Sequence, residues 1–231
     1  DSGTVKVYLN NVNIHSADRT PPLRITTTVH ADVYIYLENS NLLQSTYINS
    51  AALQIDGTTK LIIDNSPGTN GSLTANSSKH GTGIGSSSNS DLSPAFHIII
   101  KGGAVTASSF RSMGIGGNNS NITIKGGLVK VSSDQWCAIG GTKSNITIDG
   151  GSVKASSRTH FGIKSSSLTI NGGSVTASSE EEPKEDISSN QIIINGGSVK
   201  ASSVSSSPTN DHGEKVYCCT IENLNSKKVI I

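Results

Sequence analysis

The sequence predicts an all-β protein, a right-handed single-stranded parallel β-helix of roughly nine coils with three short strands in each. The first observation is a repeat. Five times in the second half an aliphatic strand enters a Gly-Gly pair and leaves through a Val-x-Ala or Val-x-Val step, with starts at Ile98, Ile122, Ile146, Leu168 and Ile192. The spacings of 24, 24, 22 and 24 residues are those of a solenoid. The second observation is alternation: Ile122 and Ile124 flank Thr123, Ile146 and Ile148 flank Thr147, and Val153 and Ala155 flank Lys154. A period of two means strands with one buried face. The third is the pairs Gly126-Gly127 and Gly150-Gly151, which let the chain turn at φ > 0 without steric cost. The leucine spacing of a leucine-rich repeat is missing, the Ser and Gly content opposes helix, and strand crossovers prefer the right hand.

Taken in order, Val5–Leu9, Val33–Leu37 and Leu61–Ile63 open the first coils at a spacing of 28 residues. From Leu61 to Ile98 the gap widens to 37, and the excess predicts a projecting loop over 86–96. Residues 98–215 form the regular coils. Each ends in a third short segment, such as Gly114-Ile115-Gly116, Ala138-Ile139-Gly140 or Gly162-Ile163-Lys164. Residues 216–231 read as a last coil or cap, and the whole of 1–231 as one domain, since solenoids grow by adding coils. Stacking should place Ile122, Val129, Ile139, Ile146, Val153 and Ile163 inside, and the Ser-rich stretch from Ser202 to Pro208 should tolerate substitution.

A formal net charge of +1 gives no electrostatic case for nucleic acid, and no apolar stretch approaches the ~18 residues of a membrane span. Only 15% of residues are charged, so Ser, Thr, Asn and Gly carry the surface, as in many secreted solenoids. Asp1 is not followed by a signal-peptide pattern, and the chain reads as a mature or excised segment of a surface protein with room for further domains. Cys137 falls on the inward register with Met113 and Phe161 and reads as a buried free thiol. Cys218 and Cys219 are adjacent and do not suit a disulfide with each other, and no Cys-x-x-Cys or His-rich spacing indicates zinc.

The run Val5-Lys6-Val7-Tyr8-Leu9-Asn10-Asn11-Val12-Asn13-Ile14, with Gly83-Ile84-Gly85, Gly114-Ile115-Gly116-Gly117 and Ile146 to Val153, resembles the bacterial β-helix carbohydrate-binding-domain proteins. Clostridial members of that family include calcium-dependent binders of polygalacturonate. The resemblance implies the β-helix fold, a secreted setting and a polysaccharide or cell-surface glycan as partner. Calcium is implied by it alone, and no acidic cluster of that family maps onto numbered positions.

Aligning the variable segments puts Phe110, Asp134 and Arg158 at one level of successive coils, then Arg111, Gln135 and Thr159, then Ser112, Trp136 and His160. Sugar recognition combines an aromatic platform with planar hydrogen-bonding side chains. Trp136, facing outward beside Phe110, Arg111, Asp134, Gln135, Arg158 and His160, is therefore the candidate glycan site. The other reading of Trp136 and Phe110 is that they close the coil edge. A second candidate is the outward row Thr106, Lys130, Lys154, Thr176, Lys200, where stacked lysines repel unless an anion lies across them. Solvated lysines are the alternative there.

The acidic run Glu180 to Asp186 reads as a solvated loop, with a calcium site as the minority view. A lyase needs several carboxylates around calcium with a base nearby, whereas the row Lys101, Lys125, Asp149, Asn171, Asn195 offers one carboxylate beside a lysine, read as an inter-coil ion pair. Asp134 shows no carboxylate partner for glycosidase chemistry. The expectation is a non-catalytic, extracellular or cell-surface polysaccharide-binding β-helix, suited to acidic glycans, with a stalk or adhesin segment without glycan binding as the alternative.

Overall fold

The computed structural model describes residues 3–26, 31–87, 95–181, 185–206 and 208–216. Its elements are strands, and they repeat in threes. Coil one is β1 (Thr4–Asn10), β2 (Asn13–Ser16) and β3 (Leu23–Ile25). Coil two is β4 (Asp32–Glu38), β5 (Ser40–Ser45) and β6 (Leu53–Ile55), and coil three is β7 (Lys60–Asn65), β8 (Ser72–Ser77) and β9 (Ile84–Gly85). Coil four follows as β10 (His97–Ile100), β11 (Ala104–Ser109) and β12 (Ile115–Gly116), and coil five as β13 (Asn121–Ile124), β14 (Leu128–Ser133) and β15 (Ile139–Gly140). Coil six begins with β16 (Asn145–Ile148) and β17 (Ser152–Ser157).

There the winding tightens. In coil five Ile139 and Ile146 are separated by a turn containing Lys143 at φ 62°, whereas Ile163 and Leu168 are two residues closer, so no turn fits. The third strand of coil six therefore runs unbroken into the first strand of coil seven as β18 (Ile163–Ile170). This accounts for the single 22-residue period. The same join recurs after β19 (Ser174–Ser179), in β20 (Ile187–Ile194), which leads to β21 (Ser198–Lys200). Bridges from Ile187 to Val204 and from Ile193 to Thr209 complete an eighth coil and open a ninth.

All strand pairs join equivalent positions of successive coils in parallel, and the winding is right-handed, as parallel crossovers are. The first sheet runs β1-β4-β7-β10-β13-β16-β18, and the third-strand ladder β3-β6-β9-β12-β15 joins it through β18. The second sheet runs β2-β5-β8-β11-β14-β17-β19-β21. Val33, Leu61, Ile98, Ile122, Ile146, Leu168 and Ile192 stack as one inward rung per coil. The six residues expected inside are all at 1% exposure or less. Burying an aliphatic side chain of this kind contributes about 1.5–3 kcal/mol relative to exposure; the core is the sum of such rungs.

The Gly-Gly corners have two reasons. The second glycine has φ between +81° and +85° at Gly103, Gly127, Gly151, Gly173 and Gly197. A Cβ at Gly127 would also meet the Gly103 carbonyl oxygen at 2.5 Å, so the coil above leaves no room. In coils one and two Asn11 and Asn39 take the corner at φ 54° and 53°, the non-glycine residue most tolerant of that region.

Of the expected loop over 86–96, Ser86 and Phe96 at its ends are buried, and 88–94 lie outside the described residues. Three expectations need correction. In the acidic run Asp186 is 3% exposed and accepts hydrogen bonds from the Ser179 and Ser202 backbone N–H groups, which makes it a buried clasp between coils. Within Ser202–Pro208, Ser203 Oγ accepts from the Asp186 N–H and Ser205 Oγ from the Ser189 N–H, so that stretch is tied to the coil before it. Finally, Asp149 accepts from Asn171 Nδ2 at 2.8 Å, in a side-chain ladder continued by Asn195, rather than pairing with Lys125. The expected last coil or cap lies almost wholly outside the described residues, as do Cys218 and Cys219.

Candidate functional site

The second sheet ends each strand with two serines, and their parity decides what they do. Ser109, Ser133 and Ser157 point inward and are buried. Each hydroxyl donates to a carbonyl of the preceding coil, of Gly81, Ser112 and Trp136 respectively, and accepts the N–H three residues on, of Ser112, Trp136 and His160. These serines hold the turns that carry the candidate residues. Backbone hydrogen bonds then align Phe110 with Asp134 and Arg158, and Arg111 with Gln135 and Thr159, as the sequence alignment expects.

The neighbouring residues point outward and build a surface. Thr106, Lys130 and Lys154 occupy one register line of β11, β14 and β17, and Ser108, Ser132 and Ser156 the next. Phe110, Asp134 and Arg158 follow two residues further along. The two candidates of the sequence reading, the aromatic edge and the lysine row, are thus columns of one sheet face. A cleft of about 340 Å³ lies among Ser77, Ser108, Phe110, Ser132 and Asp134, and a second of about 200 Å³ among Thr106, Lys130, Ser132, Lys154 and Ser156. They share Ser132.

Charge is distributed unevenly over this face. Lys130 and Lys154 are exposed and adjacent in register, with Thr106 and Thr176 on either side. Lys200 lies one coil beyond Thr176, apart from the pair. At the far column Arg158 is already engaged. Its Nε and one terminal nitrogen donate to both oxygens of Asp134 at 2.5 and 3.0 Å, and the other donates to Glu181 at 2.6 Å. The hydrogen bond from Arg158 holds the Asp134 carboxyl below its ordinary value, against the opposing effect of burial, and Asp134 with Glu181 raises Arg158. The partner of Asp134 is the Arg158 guanidinium.

Trp136 does not stand outward. It is half-buried at the corner between the second and third strands of coil five, and its Nε1 is buried without a hydrogen-bond partner. The indole lies 5.0 Å from the His160 ring, and Lys164 Nζ sits 5.3 Å over it and 5.0 Å over Phe161. Burial, then the charge of Lys164, lowers the pKa of His160. The molecule's own side chains therefore meet the indole and imidazole. Phe110, at 41% exposure, is the open aromatic of this edge, with the Arg111 guanidinium 5.7 Å from its ring and 3.4 Å from His80.

Sequence reasoning missed the outward serines, the link they make between the clefts, and Lys164. The first was readable, because period-two alternation through Val-x-Ala-Ser-Ser sends the first serine out and the second in. The contact of Lys164 with Trp136 crosses between coils and had no local signal. Cys137 is fully buried as expected, and desolvation pushes its thiol up to about 12, which leaves it unreactive. Among the described residues no group of three or more His, Cys, Asp or Glu side chains gathers in a way that could hold a metal ion.

A family model described as a Beta helix repeat matches residues 98–119, from β10 to the turn after β12, and residues 168–179, from the end of β18 through β19. The two matched stretches lie in coils four and seven and begin at equivalent positions of the winding. Neither curated proteins nor solved structures gave a match to the chain.

Proposed function

We propose that this β-helix is a non-catalytic glycan-binding segment of a secreted or cell-surface protein, and that it holds an acidic, uronate-type polysaccharide on the outer face of its second sheet. The observation that carries this is the cleft with Lys130 and Lys154 side by side, joined through Ser132 to the cleft of exposed Phe110. Rows on neighbouring coils lie about 4.8 Å apart, close to the length of a sugar unit. A chain along the rod axis meets a new row at each unit: ammonium groups face its carboxylates, serine hydroxyls its hydroxyl rim, and Phe110 one apolar pyranose face. Of the original candidates, Lys130, Lys154 and Phe110 contact the glycan; Asp134 and Arg158 wall the groove by neutralising each other; Trp136 and His160 brace its corner.

The stalk reading draws support from the same corner, because Trp136 and Arg158 are occupied by contacts within the protein. A pull-down on polygalacturonate and on a neutral β-glucan, each with and without chelator, separates the two. The acidic-glycan reading expects retention on polygalacturonate, lost in Lys130→Glu/Lys154→Glu; no retention on either matrix supports the stalk. Incubation with pectins should release neither reducing ends nor unsaturated uronates, and turnover would overturn the non-catalytic part.

A further inference from the structure

Charge on the outer face of the second sheet changes from rung to rung. The outward column through its strands is Thr106, Lys130, Lys154, Thr176 and Lys200, one residue per coil from coil four to coil eight. Its charges run neutral, positive, positive, neutral, positive. Along the strands the flanks of the pair are uncharged as well: Leu128 and Ser132 stand on either side of Lys130, and Ser152 and Ser156 on either side of Lys154. Other lysines are engaged by the protein itself. Lys60 pairs with Asp32 at 2.6 Å, Lys101 lies over the Tyr34 ring, and Lys164 over Trp136 and Phe161. Among the described residues Lys130 and Lys154 enter no ion pair and cover no ring.

Like charges directly opposite on neighbouring strands repel. Lys130 and Lys154 are register partners, on strands about 4.8 Å apart, and the repulsion is relieved most when each ammonium has an anion of its own. At coils four and seven the row offers only the hydroxyls of Thr106 and Thr176, which hold an ester or a neutral sugar as readily as an acid. Lys200 lies two rungs beyond Lys154, about 10 Å away, and Thr176 interrupts the row between them. The face therefore rewards two successive negative charges and gains nothing from a third beside them. A lysine is a compact charge on a flexible four-carbon stem, so each ammonium follows a carboxylate whichever edge of the sugar chain carries it.

We infer that this face selects polyuronates by the pairing of their free carboxylates: two successive unesterified units over coils five and six, with an esterified or neutral unit accepted over coils four and seven. The inference rests on the acidic-glycan reading and goes beyond it, because that reading is met by a polyuronate whatever the arrangement of its charges. The test compares two pectins of the same high degree of methyl esterification, one with its free carboxylates in blocks and one with them isolated, alongside polygalacturonate. By titration calorimetry, per free carboxylate, the block pectin should bind about five-fold tighter or better, the size of one lost charge-assisted contact. Lys130→Gln and Lys154→Gln should each bring that ratio below about two-fold, since either leaves a single cation. Thr176→Lys joins Lys200 to the pair and should raise the affinity for hexagalacturonate about five-fold or more. Thr147→Lys, which adds the same charge to the outer face of the first sheet, should change it less than about two-fold. Equal affinity for the two pectins, with polygalacturonate still bound, overturns the inference and leaves the acidic-glycan reading standing; absence of polygalacturonate binding overturns both. Equal gains from Thr176→Lys and Thr147→Lys overturn the inference too, because net charge would then account for the selection.

Discussion

Two pairs of lysines occupy equivalent-looking places on neighbouring coils, and their surroundings differ. Lys101 and Lys125 extend outward at the end of the first sheet's strands, with Asp64 aligned on one side, Asp149 on the other and the Tyr34 ring beneath Lys101. Lys130 and Lys154 extend outward from the second sheet with only Thr106 and Thr176 as flanking rungs. The first row sums to no net charge; the second leaves two positive charges uncompensated in a cleft. In a parallel solenoid, then, a residue's role is set by what stands one coil above and below it. The repeat unit alone does not distinguish a solvated lysine from an anion contact.

Both rows rest on the same inward rungs, so the most drastic way to break the comparison is to break a rung. Ile146 is 1% exposed and lies between Ile122 and Leu168. Ile146→Asp buries an unpaired carboxylate and should destabilise by about 4 kcal/mol, near the top of single-substitution effects. Thermal melts followed by circular dichroism should show coils four to seven lost cooperatively, and polygalacturonate binding lost with them. A variant that melts like the parent would refute the core assignment.

Next in size is charge reversal at each row in turn. Lys130→Glu/Lys154→Glu should reduce polygalacturonate affinity at least ten-fold, with the melting temperature kept, because both side chains are exposed. Lys101→Glu/Lys125→Glu should change it less than two-fold. Equal losses in the two variants would reduce the effect to overall charge, and the sheet face would no longer be the site.

A smaller and more selective change gives the second row the flanking acids of the first. Thr106→Asp/Thr176→Asp should weaken acidic-glycan binding several-fold and raise the melting temperature by about 1 °C, since close surface charges in water interact by under about 1 kcal/mol. Opposite signs for binding and stability are the signature. A fall in both would mean that the threonines act through packing.

The fold was legible because the coils are built from local alternation repeated at a fixed period. Ile122, Val129 and Ile139 each announce their side of the sheet from their own neighbours. The site was legible only by column. Phe110, Asp134 and Arg158 align as expected, but their pairing depends on side-chain reach across coils: Arg158 spans back to Asp134 and forward to Glu181. Trp136 was misplaced for the same reason, since the lysine over it comes from a strand 28 positions later. The outward stack of Tyr8, Tyr36 and Tyr34 went unread because the first coils are longer than the regular ones, which hides that Tyr8, Tyr36 and Asp64 continue the column of Lys101, Lys125 and Asp149.

The smallest expected effect concerns the far column of the same face, where Asp134 and Arg158 neutralise each other. Arg158 lowers the pKa of Asp134 from its ordinary 3.8, so the pair's contribution is present above that value and lost as the pH falls through the lower folded-state value. The pair is well exposed, with side chains at 28% and 42% accessibility, so the contribution is small. Asp134→Asn should leave polygalacturonate binding at neutral pH within about two-fold, and acid unfolding followed from pH 5 to pH 2 should be slightly less steep than in the parent. Should Asp134→Asn instead strengthen acidic-glycan binding many-fold, Arg158 would be a third cation of the groove held in check by Asp134, and the division of this face into a binding column and a walling column would have to be redrawn.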